Sequence, residues 1–196
     1  MVFMNNPAYI DAYEKANQVI KKLPYSGSSM VDTDDVVKIV GEFSKYNIFI
    51  YTADFSPLGK DISDCGALTS IISKPQGNKY GEARIYLNAA FDVKFRRFSL
   101  VHELGHLMTG KNNFKEGYFF ASAHIQYNLT YIKDDGTSGS EAIENEQIAN
   151  VFALSVLMPK EVFERKMNLD EDTLCATFGV SMEALNSRRI MLRDGR

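Results

Sequence analysis

Apolar side chains recur at helical spacing in four long stretches of the chain. Residues 8–23 have this spacing and end before Pro24, and residues 36–46 have it with Thr33 or Asp34 in position to cap the helix. The spacing returns over Arg96–Thr109, which Gly110 closes, and over Glu141–Leu157, which stops at a Met-Pro pair. Two or three short helices are predicted to finish the chain.

Three short runs between the second and third helices are rich in Ile, Tyr and Phe and are separated by turn residues. They cover Asn47–Ala53, Ala67–Ser73 and Ala83–Leu87. The short connections favour antiparallel pairing, because parallel neighbours need a longer crossover. The predicted fold class is therefore α+β, helix-rich with a small, mainly antiparallel sheet. Residues 111–140 show no clear periodicity, and a segment of this length is typically functional or mobile.

Composition narrows the class of protein. The chain has 196 residues, which suits a single domain over 1–196, and its net charge of -3 with a pI near 5.7 gives no basic excess for nucleic acid. Two distant cysteines, Cys65 and Cys175, indicate a reducing compartment. The N-terminus lacks a signal-peptide core, and no apolar run approaches the roughly 20 residues that span a bilayer. A cytoplasmic protein with no membrane partner is expected.

The third helix contains the run HELGH. His102 and His106 are four residues apart, so both imidazoles leave the same side of the helix and can reach one zinc ion. Glu103 is offset by one residue and can accept a proton from a water molecule beside the metal. Two of only three histidines occur in this register, which favours a metal site over chance packing. Gly105 leaves room for a close neighbour.

A catalytic zinc site needs a third protein ligand. No histidine follows His106 at the spacing that a third ligand from the same segment would require, so a carboxylate from the helix at 141–157 is the alternative. That helix offers Glu141, Glu144 and Glu146. Asn150 follows Glu146 by four residues on the same face and could hold an imidazole N–H. Spacing alone leaves Glu144 open.

HELGH followed by ENEQIANVFALSVLMP resembles the ImmA/IrrE family of metallopeptidases. The second motif of that family, Glu-x-x-Ala-Asn-x-Phe-Ala running on to Leu-Met-Pro, is matched by Glu146, Ala149, Asn150, Phe152, Ala153, Leu157, Met158 and Pro159. The resemblance covers about residues 95–192. It implies a zincin-like core, the zinc ligands His102, His106 and Glu146, the general base Glu103, and a zinc-dependent endopeptidase. It also implies a protein substrate, namely a helix-turn-helix repressor of a mobile element, prophage or stress regulon.

Further roles follow as expectations. Tyr118, His124 and Tyr127 are candidates for stabilising the oxyanion or contacting the substrate, because they follow the HELGH helix in sequence. The strand at 83–87 is expected to be an edge strand to which a substrate peptide could add. Iron, cobalt or manganese could occupy the same ligands as zinc.

The end of the chain suggests a rival function. Residues 170–192 resemble a helix-turn-helix, with Gly179 at the turn and both Arg188 and Arg189 on the second helix. The acidic residues 170–172 beside it disfavour a DNA-binding face. The prediction is a helical tail packed on the peptidase domain. The alternative is a DNA-binding or regulator-sequestering protein whose metal site is structural or vestigial.

Overall fold

The computed structural model describes residues 6–24, 30–58, 65–72, 79–109, 119–121 and 140–194. Within these ranges the helices are α1 Pro7–Lys22, α2 Thr33–Ser44, α3 Val93–Thr109, α4 Ser140–Leu157, α5 Lys160–Lys166, α6 Glu171–Phe178 and α7 Met182–Asp194. The strands are β1 Tyr46–Ala53, β2 Ala67–Ile72, β3 Gly81–Asn88 and β4 Phe119–Ala121, with a short 3-10 turn at Ser56–Leu58. The α+β class predicted from the sequence is confirmed.

The first two helices begin at side-chain caps. The Asn6 side chain accepts a hydrogen bond from the Ala8 N–H, and Pro7 occupies the first helical position, where its missing N–H costs nothing. Helix α2 is capped by Asp32, whose carboxylate accepts the Asp34 N–H at 2.8 Å. The prediction of Thr33 or Asp34 as the cap was wrong, because both residues already lie inside the first turn.

The four strands form one sheet in the order β1-β3-β2-β4. Strand β2 pairs antiparallel with β3, as predicted, and also with β4, which lies in the segment 111–140 where no strand was predicted. Strand β1 pairs parallel with β3. The expectation of antiparallel pairing was wrong for β1 and β3. Strand β3 lies between β1 and β2 and runs in the same direction as β1. Strand β3 is therefore internal, and the prediction that it is an edge strand open to a substrate was wrong.

The helices pack on one face of the sheet around the main apolar core. Along β3 the residues alternate between fully buried and half-buried positions, and Ala83 and Ile85 belong to that core. Helix α3 is enclosed, with Phe98, Val101 and Leu104 almost completely buried. Helices α1, α2, α4 and α7 supply further residues to the same core. Helix α3, which carries the HELGH run, packs against α1, α2, α4 and the strands β2 and β3.

The C-terminal helices α6 and α7 do have a tight connection, with Gly179 in the left-handed conformation at φ 62°. The Arg188 side chain, however, is fully buried: its Nε donates to the Met158 carbonyl at 2.9 Å and its Nη1 to Ser155 Oγ at 3.3 Å. Arg189 pairs with Glu171 on α6. The two arginines that suggested a DNA-binding face are therefore engaged within the chain.

In the part of the chain that the structure describes, no helix combines the length and the apolarity that crossing a bilayer requires.

Candidate metal centre

Helix α3 places three chemically active side chains in the interior. His102, Glu103 and His106 expose 1%, 0% and 5% of their surface. Burial of two imidazoles and a carboxylate within five residues of one helix is costly unless each of them finds a partner. The neighbours that supply these partners come from α4 and from β2.

Helix α4 crosses α3 at Gly105. A Cβ atom built on this glycine would lie 3.1 Å from both Cα and O of Ala149 and 3.2 Å from Cβ of Phe152. Only a residue without a side chain allows the two backbones to approach so closely. This approach brings the first half of α4, which carries Glu146, against the histidines.

Three potential metal ligands converge at this crossing. His102 Nε2 and His106 Nε2 lie 3.0 Å apart, and the Glu146 carboxylate oxygens lie 3.1 Å from the first and 3.2 Å from the second. Ligand atoms in a tetrahedral site with bonds of about 2.0–2.1 Å are separated by about 3.3–3.4 Å. His102, His106 and Glu146 form the cluster of metal-binding type found among the described residues. The set fits a small divalent cation.

Asn150 fixes the orientation of one imidazole. Its Oδ1 lies 2.8 Å from His102 Nδ1, where it accepts the ring proton of the neutral tautomer. The lone pair of that ring then lies on Nε2, which points at His106 and Glu146. A hydrogen-bonded outer partner of this kind is typical of histidines that bind metal.

The electrostatics of the cluster favour a positive charge at its centre. Burial by itself would raise the pKa of Glu146, but His106 and His102 lower it further than burial raises it. Burial would lower the pKa of His102, yet its hydrogen bond and charge interaction with Glu146 leave that pKa raised. Although 47% of the Glu146 side chain is exposed, its carboxylate meets both buried rings. The two Nε2 atoms and the Glu146 carboxylate are electron-pair donors in mutual contact, so together they can bind one cation.

Glu103 makes a contact that the sequence did not single out. Its Oε2 accepts a hydrogen bond of 2.6 Å from the Thr69 hydroxyl on β2. Thr69 is 2% exposed and belongs to the inward side of its strand, between Ala67 and Ile71. The sequence offered one signal for this contact, a polar residue on the apolar side of a predicted strand. That signal is weak because threonine is common in strands.

The other glutamate that spacing had left open lies elsewhere. Glu144 Oε1 accepts a hydrogen bond of 3.0 Å from Asn6 Nδ2, and Tyr9 donates from its hydroxyl to Gln147. Helix α1 thus holds the first described turns of α4 while Glu146 faces the histidines. The side chain of Glu141 lies outside the described residues, as do Tyr118, His124 and Tyr127.

The site joins two histidines and a glutamate on one helix to a carboxylate from a second helix, a set of donors that can hold a divalent metal. Residues 67–189 match the model of the family Peptidase_M78, the IrrE N-terminal-like domain. This match covers more than half of the chain, and the chain belongs to that family. The searches of curated proteins and of solved structures found no match. The resemblance to the ImmA/IrrE family is confirmed.

Proposed function

We propose that this protein is a zinc-dependent endopeptidase whose ligands are His102, His106 and Glu146. The observation that carries the proposal is the convergence of the two Nε2 atoms and the Glu146 carboxylate within 3.0–3.2 Å, beside the buried carboxylate of Glu103. A structural metal site has no need of an additional buried base next to its ligands. Membership of a metallopeptidase-type family supports the same assignment.

The proposed roles follow from these positions. A bound zinc ion would supply a Lewis acid that polarises the scissile carbonyl and acidifies water. Glu103 takes the proton of the attacking water and then delivers it to the leaving amine nitrogen. Asn150 keeps the His102 ring in the tautomer and orientation that present Nε2. The surrounding core buries both imidazoles and Glu103, which strengthens their electrostatic contacts.

The proposed substrate is a protein, and by family kinship a helix-turn-helix repressor. The chain's own C-terminal helices give no support to the rival function of DNA binding, because Arg188 is buried and Arg189 is paired with Glu171.

The deciding experiment is elemental analysis of the purified wild type, Glu146→Gln and Glu144→Gln after dialysis in metal-free buffer. We expect about one zinc per chain in the wild type, loss of the metal in Glu146→Gln, and full retention in Glu144→Gln. The second variant is a matched control, because glutamine can still accept the hydrogen bond from Asn6. A wild type that takes up no divalent metal from zinc-replete buffer would contradict the proposal.

The substrate class needs a separate test. New protein N-termini are compared by mass spectrometry in cell lysates treated with the wild type or with Glu103→Gln. Cleavage of a DNA-binding repressor by the wild type alone is the expected result. Cleavage confined to proteins of another class would overturn the repressor assignment and leave the peptidase assignment standing.

A further inference from the structure

Strand β2 carries one hydroxyl group on a side that is otherwise apolar. Ala67 and Ile71 point into the main core, and Thr69 lies between them with 2% of its surface exposed. Valine has the same shape and would fill this position without a polar atom. A hydroxyl buried here requires a strong acceptor, since an unsatisfied one is destabilising.

That acceptor is the carboxylate of Glu103. The 2.6 Å bond from Thr69 Oγ1 to Glu103 Oε2 joins two buried groups that are 34 residues apart in sequence. This length is within the usual range for a hydroxyl that donates to a carboxylate oxygen. The bond restricts the torsions of the glutamate side chain, which its own helix does not fix.

The sheet determines where this hydroxyl lies. Thr69 is opposite Ile85 on β3 and opposite Phe120 on β4, so its backbone is held from both sides. The histidines are held by α3 and α4, whereas Glu103 receives an additional contact from the sheet. Two independent parts of the fold therefore set the position of the base relative to the metal ligands.

We propose that Thr69 is a positioning residue that orients the Glu103 carboxylate for proton transfer. The proposal rests on the proposed peptidase function, because it assigns to Thr69 a role in the reaction of Glu103. Among the described residues, Thr69 forms no hydrogen bond with His102, His106 or Glu146. Removal of its hydroxyl group is therefore expected to leave the three metal ligands in place.

The test uses the full chain loaded with cobalt(II), whose visible absorption reports on its ligands, and acetohydroxamate as the probe. The probe would bind as the hydroxamate anion, and the Glu103 carboxylate would accept its hydroxyl proton. Thr69→Val, which removes the hydroxyl at constant shape, is expected to keep about one cobalt per chain and to raise the Kd of the probe about tenfold. Thr69→Ser retains the hydroxyl and is expected to restore the wild-type Kd.

The Glu103→Gln background separates positioning from general packing. There, Thr69→Val is expected to leave the Kd of the probe unchanged, because the carboxylate that Thr69 orients is gone. Thr69→Ala also removes the hydroxyl but places no methyl group against the Glu103 carboxylate, and it replaces the valine variant if that variant folds poorly. Wild-type probe affinity in cobalt-loaded Thr69→Val or Thr69→Ala overturns the inference. Failure of the wild type to bind cobalt overturns the proposed function instead.

Discussion

The helix pair α3–α4 and the helix pair α6–α7 both carry sequence patterns that suggest a function, yet their side chains are used differently. In α3–α4 the polar groups of both helices converge on one point, at separations of 3.0–3.2 Å. In α6–α7 the basic groups diverge, with Arg188 bonded to the end of α4 and Arg189 bonded to α6. The converging side chains of α3 and α4 form a candidate site, whereas the arginines of α7 attach that helix to the rest of the fold.

The physical difference lies in the groups that each charged side chain contacts. Glu146 meets two imidazoles that can share a cation with it. Arg188 meets a carbonyl, a hydroxyl and the sulfur of Met191, and its burial lowers its pKa to about 10. The arginine donates to the Met158 carbonyl directly after the C-terminus of α4, where a positive charge is favourable. The helix-turn-helix pattern of residues 170–192 thus corresponds to two helices whose arginines bind other parts of the same chain.

The largest effect is expected for Glu103→Gln. Glutamine keeps the size of the side chain but cannot accept the proton, so the cleavage rate should fall by about 10²–10⁴-fold. The measurement is the rate at which the wild-type cleavage product forms, together with metal content. Metal content should stay at the wild-type level, because Glu103 is not among the three converging groups. Full activity in this variant would contradict the comparison, since the buried Glu103 carboxylate of α3 would then take no part in the reaction.

Arg188→Ala should lower the free energy of unfolding by about 3 kcal/mol. The change leaves a cavity and removes the hydrogen bonds to Met158 and Ser155. Urea denaturation of the metal-loaded protein measures the loss. Arg189→Ala is the control, since its exposed pair with Glu171 should contribute at most about 1 kcal/mol. Equal losses in the two variants would show that burial does not distinguish these arginines.

Asn150→Ala should weaken zinc binding by about 10–100-fold, because the His102 ring loses the acceptor that orients it. Competition with a chromophoric chelator gives the affinity. Asn186, an exposed asparagine on α7, provides the matched substitution and should leave the affinity unchanged. An undiminished affinity in Asn150→Ala would mean that helix packing alone orients the imidazole.

The smallest effect is expected for Gly105→Ala. The added methyl group meets the Ala149 backbone at 3.1 Å and must push α4 away from α3 by a few tenths of an ångström. Zinc affinity should fall by about fivefold, or about 1 kcal/mol. Gly41→Ala is a control in α2, where the methyl group would meet the Tyr46 carbonyl at 2.9 Å. That variant should lose stability without a change in zinc affinity.

Much of the local structure was predictable from the sequence. Periodicity located the four long helices to within three residues at each end, since apolar spacing reflects which face is buried. The i, i+4 spacing placed His102 and His106 on one side of α3 because helix geometry is fixed. The parallel pairing of β1 with β3 was not predictable, because it depends on the insertion of a strand from later in the chain.

The choice among the acidic residues of α4 shows the same division. The helix offered Glu141, Glu144 and Glu146; the spacing of Glu146 and Asn150 and the motif resemblance favoured Glu146, but spacing alone left Glu144 open. In the folded chain Asn6 bonds to Glu144, whereas the crossing at Gly105 brings Glu146 to the histidines. The contact between Thr69 and Glu103 was likewise hidden, because it joins a strand to a helix across 34 positions.

Local patterns predicted the four long helices, the first three strands, the ligand spacing on α3 and the family of the protein, because each of these is encoded within a few consecutive turns or motifs. The packing of distant elements selected the carboxylate that completes the cluster and the hydroxyl that holds Glu103, and it buried Arg188 in the core. These outcomes depend on which surfaces meet when distant elements pack, and that is set by the shape of the whole core.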